Sequence, residues 1–210
     1  QTGRVCIGFS SSAGFGMLPD TVRRFRQEWP DVDLVLTELN SDEQPALIRG
    51  GILDAGLLYP PLHAEQGLVQ ELLVMDPLVV ALPEGHALAD RPEIALERLA
   101  TEPWIFFPRA VASHLHDKIT NACREAGFAP RVVQRALKLS TIASLVATGL
   151  GVALVPAPLT SLRLKGTVAR PLIAPIPLLP LSLMWRQEDV NPALKAFAEV
   201  IRAEAKHFRV

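Results

Sequence analysis

The N-terminal third of the chain alternates short apolar runs with amphipathic segments. The runs Val5–Phe9, Val32–Leu39 and Ile52–Tyr59 contain β-branched residues and are typical of buried strands. Between the first two runs, apolar residues recur with helical spacing at Leu18, Val22, Phe25 and Trp29. A second helix is predicted to end at Gly50-Gly51. The resulting β-α-β-α-β order predicts a parallel sheet with right-handed crossovers.

The second half of the chain repeats this order without repeating the residues. Strands are predicted at Trp104–Phe107, Arg131–Ala136 and Val152–Val155. One helix is predicted over Ala112–Ala126 and another after Ser140. A second β-α-β-α-β unit is therefore expected.

Extended segments join the two halves. The runs Leu68–Val74 and Pro77–Leu82 are predicted to form a strand pair that carries the chain out of the first lobe. A proline-rich link leads to the strand Leu181–Arg186, after which Asn191-Pro192 predicts the start of the last helix. The apolar stripe predicted for that helix is Leu194, Phe197, Ile201 and Phe208.

These elements predict an α/β protein with two Rossmann-like lobes. Lobe I is expected to contain residues 1–75 and 171–210, and lobe II residues 76–170. Two segments that cross between the lobes imply a hinge and a central cleft.

Polar side chains follow the first three strands. Ser10-Ser11-Ser12-Ala13 leads from the first strand into a helix, and backbone N–H groups there would suit a carboxylate or other small anion. Asn40-Ser41 and Leu58-Tyr59-Pro60 end the next two strands, and ligands of such sheets bind beyond these ends. Ser41 to Gln44 is also interpreted as a capping box, in which Ser41 accepts from the Gln44 N–H. A βα connection without any ligand remains the alternative for the serine turn.

Composition narrows the classes of function. The 210 residues carry a net charge of −1 and are 49% apolar, with no block of like charge, so this chain alone is expected to bind nucleic acid poorly. No apolar run reaches the length of a membrane span. Cys6 and Cys123 are interpreted as buried thiols of a cytoplasmic protein. A start at Gln1 rather than Met is consistent with a fragment of a longer protein.

Catalytic and metal motifs are not satisfied. Ser12 lies between a strand and a helix as a nucleophile would, but Ser10 stands where Gly-x-Ser-x-Gly needs its first glycine. His114 and His116 are two apart, so on a helix they point to opposite sides. No lysine follows Gly14 as a P-loop requires. We therefore expect no catalytic residues, no metal and no cofactor.

Five stretches carry a family likeness. They are the first strand with its serine turn, Leu18-Pro19 with Phe25 and Pro30, Leu47 through Gly56, Pro77 through Pro83 with His86-Ala87-Leu88-Ala89, and Leu145 through Pro156. In this order the chain resembles the effector-binding domain of LysR-type transcriptional regulators, which has the type 2 periplasmic-binding-protein-like fold. Ala87 departs from the pattern, since the family usually has proline after the histidine.

The resemblance implies partners that composition does not. Full-length members carry an N-terminal winged helix-turn-helix, absent from this chain, through which alone DNA would be bound. The effector domains of such proteins pair side by side and antiparallel, so a homodimer or homotetramer is expected. The ligand would be a small-molecule effector, expected to be a carboxylate, whose binding modulates transcription.

The resemblance also implies which residues contact the effector. Arg109 is the candidate cationic partner for an anion, and Tyr59 replaces an arginine of aromatic-degradation regulators, which counts against a muconate-like diacid. Local backbone capping for the serines, and a solvated or interface position for Arg109, are the alternatives. The implied ligand-binding residues are Ser10, Ser11, Ser12, Ala13, Ser41, Tyr59, Phe107, Pro108, Arg109 and Leu115.

A second hypothesis shares the same fold. A solute-binding protein of a transporter would be a monomer with a signal peptide or lipid anchor in its complete gene. A regulator would have an upstream helix-turn-helix and form a dimer or tetramer. Ligand-independent dimerisation of the domain also remains open.

Overall fold

The computed structural model of the protein describes residues 3–60 and 66–208. Its strands, in chain order, are β1 (Gly3–Phe9), β2 (Val32–Glu38), β3 (Ala55–Leu58), β4 (Leu68–Pro83), β5 (Pro103–Phe106), β6 (Arg131–Arg135), β7 (Ala153–Pro156), β8 (Thr167–Pro171) and β9 (Leu178–Arg186). Its helices are α1 (Ser11–Phe15), α2 (Leu18–Glu28), α3 (Gln44–Arg49), α4 (Ser113–Glu125), α5 (Leu139–Ala147) and α6 (Pro192–Ala205). The described residues also form 3-10 helices at Leu96–Leu99 and Ala157–Leu162.

The chain forms two compact units. Unit 1 is Gln1–Met75 with Pro180–Val210, and unit 2 is Asp76–Leu179. The sequence places the second boundary after residue 170, whereas the chain remains in unit 2 until Leu179. The reason is that the proline-rich link packs there, because Ile94 N donates to Pro171 O (3.0 Å) and Leu172 is buried.

The sheet of unit 1 has the predicted parallel order. β1 lies between β2 and β3 and runs parallel to both, and β9 pairs with β3 in the antiparallel direction. Helices α2 and α6 meet through the rings of Phe25 and Phe197, whose centroids are 5.5 Å apart. Phe208, predicted to continue the apolar stripe of α6, lies beyond the end of the helix and is 36% exposed. The stripe ends early because α6 stops at Ala205.

The sheet of unit 2 is built around β4. This strand pairs antiparallel with β7 and with β8, while β5 and β6 form a separate parallel pair. The predicted strand pair at residues 68–82 is wrong, because β4 continues through Asp76-Pro77 as one strand. The ladders with β7 and β8 begin only at Leu78 and Val79, so the missing N–H of Pro77 interrupts neither of them.

The core of unit 2 surrounds Trp104. The indole is fully buried and donates from Nε1 to the Leu99 carbonyl at 3.1 Å. Trp104 lies in β5, which is hydrogen-bonded to the residue before β7, since Ile105 N donates to Val152 O at 2.9 Å. Across residues 3–60 and 66–208, none of the helices combines the length and the apolar character that crossing a membrane requires.

Candidate functional site

The carboxyl ends of β1, β2 and β3 lie side by side in unit 1. Ser10 N donates to Leu57 O at 2.9 Å, which joins the end of β1 to the end of β3. Tyr59 N donates to Ser41 Oγ at 3.1 Å, which joins the residue after β3 to the turn before α3. The structure therefore brings together the serine turn, Ser41 and Tyr59, as the strand order predicts.

The serine turn is itself a short helix. The sequence predicts a turn that leads directly into a helix near Met17, but Ser11–Phe15 forms α1 before α2 begins at Leu18. Ser10 occupies the N-cap position in an extended conformation, without a side-chain capping bond. Gly14 N instead donates to the Ser10 carbonyl at 3.1 Å.

Within residues 10–13, burial and hydrogen bonding differ from one side chain to the next. Ser12 and Ala13 are buried, at 3% and 0% exposed. Ser11 is half-buried and donates from Oγ to Glu38 Oε1 at 2.6 Å. Ser10 is 7% exposed, and its Oγ has no hydrogen-bond partner among the described residues. Buried hydroxyls are nearly always paired, so Ser10 is an exception that needs an explanation.

Gln44 lies beneath this edge and does not have the capping role that the sequence predicts. Its side chain is fully buried, and Nε2 donates to the Leu39 and Leu57 carbonyls over 3.4 Å each. The predicted capping box is therefore wrong, since Ser41 accepts from Tyr59 N and Gln44 points into the unit. Each of these two side chains has a partner that is more distant in sequence, and that contact replaces the predicted capping bond.

A signal for the buried amide was present in the sequence. Gly8 and Gly56 are register partners in β1 and β3. A Cβ on Gly8 would lie 3.0 Å from Gln44 Oε1, and one on Gly56 would overlap that oxygen. Glycines in two adjacent strands thus leave the space that the Gln44 side chain fills.

The residues predicted from the second lobe follow β5 or lie on α4. Phe107 and Leu115 are buried, at 5% and 6% exposed, and Pro108 is half-buried. Arg109 is exposed, and its guanidinium binds the Asp117 carboxylate in a bidentate pair of 2.8 and 2.7 Å. These hydrogen bonds from Arg109 lower the pKa of Asp117 to about 2. The charge of Arg109 is therefore already balanced within unit 2.

His116 and the two cysteines are the remaining candidates for titratable chemistry. His116 Nδ1 lies 3.3 Å from Asp117 Oδ1. The described residues contain no group of three or more His, Cys, Asp or Glu side chains placed to hold a metal ion. Both cysteines are free thiols, and burial raises the pKa of Cys123 to about 12, which suppresses formation of the reactive thiolate.

Comparison with known proteins assigns the family. The model of the LysR substrate binding domain matches residues 1–206. The chain belongs to this LysR family. The resemblance drawn from the five sequence stretches is thus confirmed.

Relatives of this LysR domain are transcriptional regulators rather than enzymes. The HTH-type transcriptional regulator IlvR of Caulobacter vibrioides is 37% identical over 203 residues, covering 96% of this chain and 68% of IlvR. The HTH-type transcriptional regulator AlsR of Bacillus subtilis is 31% identical over 204 residues, covering 95% of this chain and 66% of AlsR. The chain thus spans about two thirds of the length of these relatives.

Solved structures agree in fold. The effector-binding domain of BenM with its effector benzoate has a TM-score of 0.87 and 25% identity, over 98% of this chain and 94% of that one. The effector-binding domain of QuiR in complex with shikimate has a TM-score of 0.88 at 19% identity, over the whole of both chains. The α/β, type 2 periplasmic-binding-protein-like fold is therefore confirmed.

Proposed function

We propose that this LysR domain senses a small organic anion at the carboxyl edge of the unit 1 sheet, and that binding modulates DNA binding by a longer protein. DNA would be contacted only by a helix-turn-helix segment outside this chain. The proposed ligand contacts on unit 1 are the serine turn, Ser41 and Tyr59. Residues 107–109 with Leu115 remain the contacts that the family resemblance implies for unit 2.

The buried Ser10 hydroxyl carries this proposal. It lies at the carboxyl end of β1, where ligands of parallel sheets bind, and it has no partner among the described residues. A hydroxyl can donate one hydrogen bond to a carboxylate oxygen. An effector that accepts this bond would satisfy a donor that the folded chain leaves unpaired.

The surrounding charges favour one carboxylate over two. Glu38 already accepts from Ser11 at 2.6 Å, and Arg109 is balanced by Asp117. Recognition would therefore use neutral donors, which suit a monocarboxylate better than a diacid. The benzoate of the BenM effector domain is such a monocarboxylate.

Signalling would follow from different affinities of the effector for two arrangements of the domain. A ligand shifts such an equilibrium only by the ratio of those affinities. The change in the arrangement of the domain would then alter the positions of the DNA-binding segments in a homodimer or homotetramer. No observation favours a transporter solute-binding role, and the relatives named above are regulators.

Titration calorimetry tests whether the effector is an anion. Benzoate and branched aliphatic monocarboxylates are titrated into the chain, alongside their neutral amides and matching dicarboxylates. We expect binding of at least one monocarboxylate and at least tenfold weaker binding of its amide. Loss of the Ser10 hydrogen bond in Ser10→Ala should weaken affinity about tenfold.

Matched variants locate the binding residues. Ser144→Ala, which removes an exposed hydroxyl bonded to the Ser140 carbonyl in α5, should retain the affinity of the unmodified chain. The double variant Ser12→Ala/Ser41→Ala should lose affinity, with thermal unfolding measured in parallel because Ser41 also holds Tyr59 N. Unchanged affinity in both Ser10→Ala and the double variant would rule out this site.

A further inference from the structure

A cavity of about 540 Å³ opens on unit 2, and every residue that lines it belongs to that unit. None of its lining residues is among the ten proposed to contact the effector. The volume lies within the range of small-molecule binding pockets. The cavity is therefore separate from the proposed effector site.

The floor of the cavity is apolar and is built on paired strands. It includes side chains from β4, β7 and the short helix after β7, all nearly inaccessible to solvent: Val79, Ala81, Val155 and Leu159. Strand pairing of β4 with β7 and β8 holds this surface in place. A hydrocarbon group placed on it would be removed from water.

The rim carries three cations and one carboxylate. Glu84 keeps its negative charge, since the groups that it bonds are neutral: its Oε1 accepts from Gly166 N at 3.2 Å and its own N–H donates to Gly166 O at 3.1 Å. Three cations against one carboxylate leave the rim with a net positive charge. Arg170 donates to the Ala89 and Ala169 carbonyls at 2.8 and 2.9 Å, and neutral carbonyls leave its positive charge in place. Arg163 and Lys165 line the rim and are exposed. Within residues 3–60 and 66–208, none of the three cations has an ion-pair partner.

Arg163 also has an unusual backbone. Its φ of 44° and ψ of 49° lie in the left-handed region, and it is the only non-glycine residue with positive φ among those described. Glycine would adopt this conformation without steric cost. Arg163 follows the 3-10 helix Ala157–Leu162 as its C-cap, and glycine is the usual residue where a helix ends in this conformation. A side-chain role for Arg163 would explain why a non-glycine residue occupies the position.

We propose that the cavity of unit 2 binds a second small organic anion with an apolar body, such as an aryl-substituted or branched carboxylate. Arg163 and Lys165 would bind the carboxylate, and the floor around Val79 and Val155 would cover the hydrocarbon. The domain would then respond to two ligands rather than one.

Amide NMR titration of the 210-residue chain tests this site, with 4-phenylbutyrate as the probe. We expect saturable shifts of the amides of residues 166–170. The neutral 4-phenylbutyramide, which lacks the charge, should bind at least tenfold more weakly. Inorganic phosphate, which lacks the apolar body, should also be at least tenfold weaker. Equal binding of phosphate would indicate a general anion patch and overturn the proposal.

Three variants separate binding from folding. Arg163→Gly should weaken probe affinity at least tenfold while its melting temperature stays equal or rises, because glycine removes the backbone strain. Lys165→Ala should weaken affinity similarly. Arg135→Ala, which removes an exposed arginine of β6 that does not line the cavity, should bind as the unmodified chain does.

Failure of this proposal is distinguishable from failure of the effector site. Shifts confined to residues 10–13, or shifts at residues 166–170 that persist unchanged in Arg163→Gly, would overturn the second site alone. A change of sedimentation coefficient in Arg163→Gly, without probe binding to the unmodified chain, would assign the cavity to a second copy of the chain and also overturn it. Ser10→Ala should leave the shifts at residues 166–170 unchanged.

Discussion

At the scale of single residues, Gln44 shows how one buried polar side chain constrains its neighbours. Its amide is fully enclosed, and Oε1 has no hydrogen-bond partner among the described residues. The side chain fits only because Gly8 and Gly56 lack a Cβ beside it. These three positions should therefore tolerate change poorly.

Gly56→Ala is expected to lower the free energy of unfolding by about 1–3 kcal/mol. The new Cβ would overlap Gln44 Oε1 and lie 3.0 Å from Leu58 Cδ2, and the Gln44 side chain is itself fully buried. Urea denaturation measures the change. Gly85→Ala is the control, because nothing lies within 4 Å of its Cβ position, and it should be neutral or slightly stabilising. Equal effects of the two substitutions would contradict this account.

The pair of Arg109 and Asp117 makes a prediction about pH. Arg109→Ala should raise the pKa of Asp117 from about 2 toward about 3.9, the value of an unperturbed carboxyl group. A carbon-detected NMR titration of the side-chain carboxyl measures it, with Arg124→Ala on the same helix as the control. A pKa that stays near 2 without Arg109 would be inconsistent with the bidentate pair.

The lowered pKa of Asp117 decides whether this pair adds to the free energy of unfolding at high or at low pH. Because the folded state binds the Asp117 proton less tightly than the unfolded state, the pair stabilises the protein above about pH 3.9. This contribution is lost as the pH falls toward about 2. It should be small, because the Arg109 side chain is 66% exposed and solvent screens such pairs.

At the scale of elements, two predicted helix starts had opposite outcomes. Asn191 caps α6 as predicted, since its Oδ1 accepts from Ala193 N at 3.0 Å. Its Nδ2 also donates to the Arg4 carbonyl at 3.0 Å, which links α6 to β1. Ser41 does not cap α3, because its hydroxyl accepts from Tyr59 N. A cap is predictable when no distant partner competes for the side chain.

Asn191→Ala should therefore destabilise the protein by about 1 kcal/mol, because it leaves Ala193 N without its acceptor. Equilibrium unfolding in urea measures the loss. Asn121→Ala is the matched control, since Asn121 is exposed within α4 and alanine has the higher helix propensity there. Comparable losses at both positions would argue against a capping role.

At the scale of the whole molecule, the two units differ in chain continuity. Unit 2 is formed by one continuous segment, whereas unit 1 combines residues from both ends of the chain. In unit 1, β3 finds its antiparallel partner β9 more than a hundred residues later. In unit 2, the pairs of β4 with β7 and β8 are all internal.

This difference predicts how fragments behave. Asp76–Leu179 expressed alone should give a dispersed amide NMR spectrum and unfold cooperatively, since its strand partners and Trp104 core are included. Gln1–Met75 alone should not, because it lacks β9 and the Phe197 ring that packs on Phe25. A disordered Asp76–Leu179 fragment would show that unit 2 depends on the rest of the chain.

Much of the architecture could be predicted because it depends on local spacing. Apolar runs and helical stripes located most elements, and the β-α-β-α-β order yielded the parallel strands β2, β1 and β3. The five stretches that resemble LysR effector domains identified the family. The serine turn and Ser41 were correctly placed at one sheet edge, because parallel strands end on the same side.

The sequence by itself determined most of the secondary structure, the sheet order of unit 1, the α6 cap and the family, since each depends on neighbours within a few residues or on a recurring motif. Only the tertiary structure decided the partners of Gln44 and Ser41, the continuity of β4, the balance of Arg109 by Asp117, and the cavity beside Arg163. Each of these depends on which distant groups meet once the chain has folded. A buried side chain pairs with the donor or acceptor nearest in space, and spacing along the chain does not encode that distance.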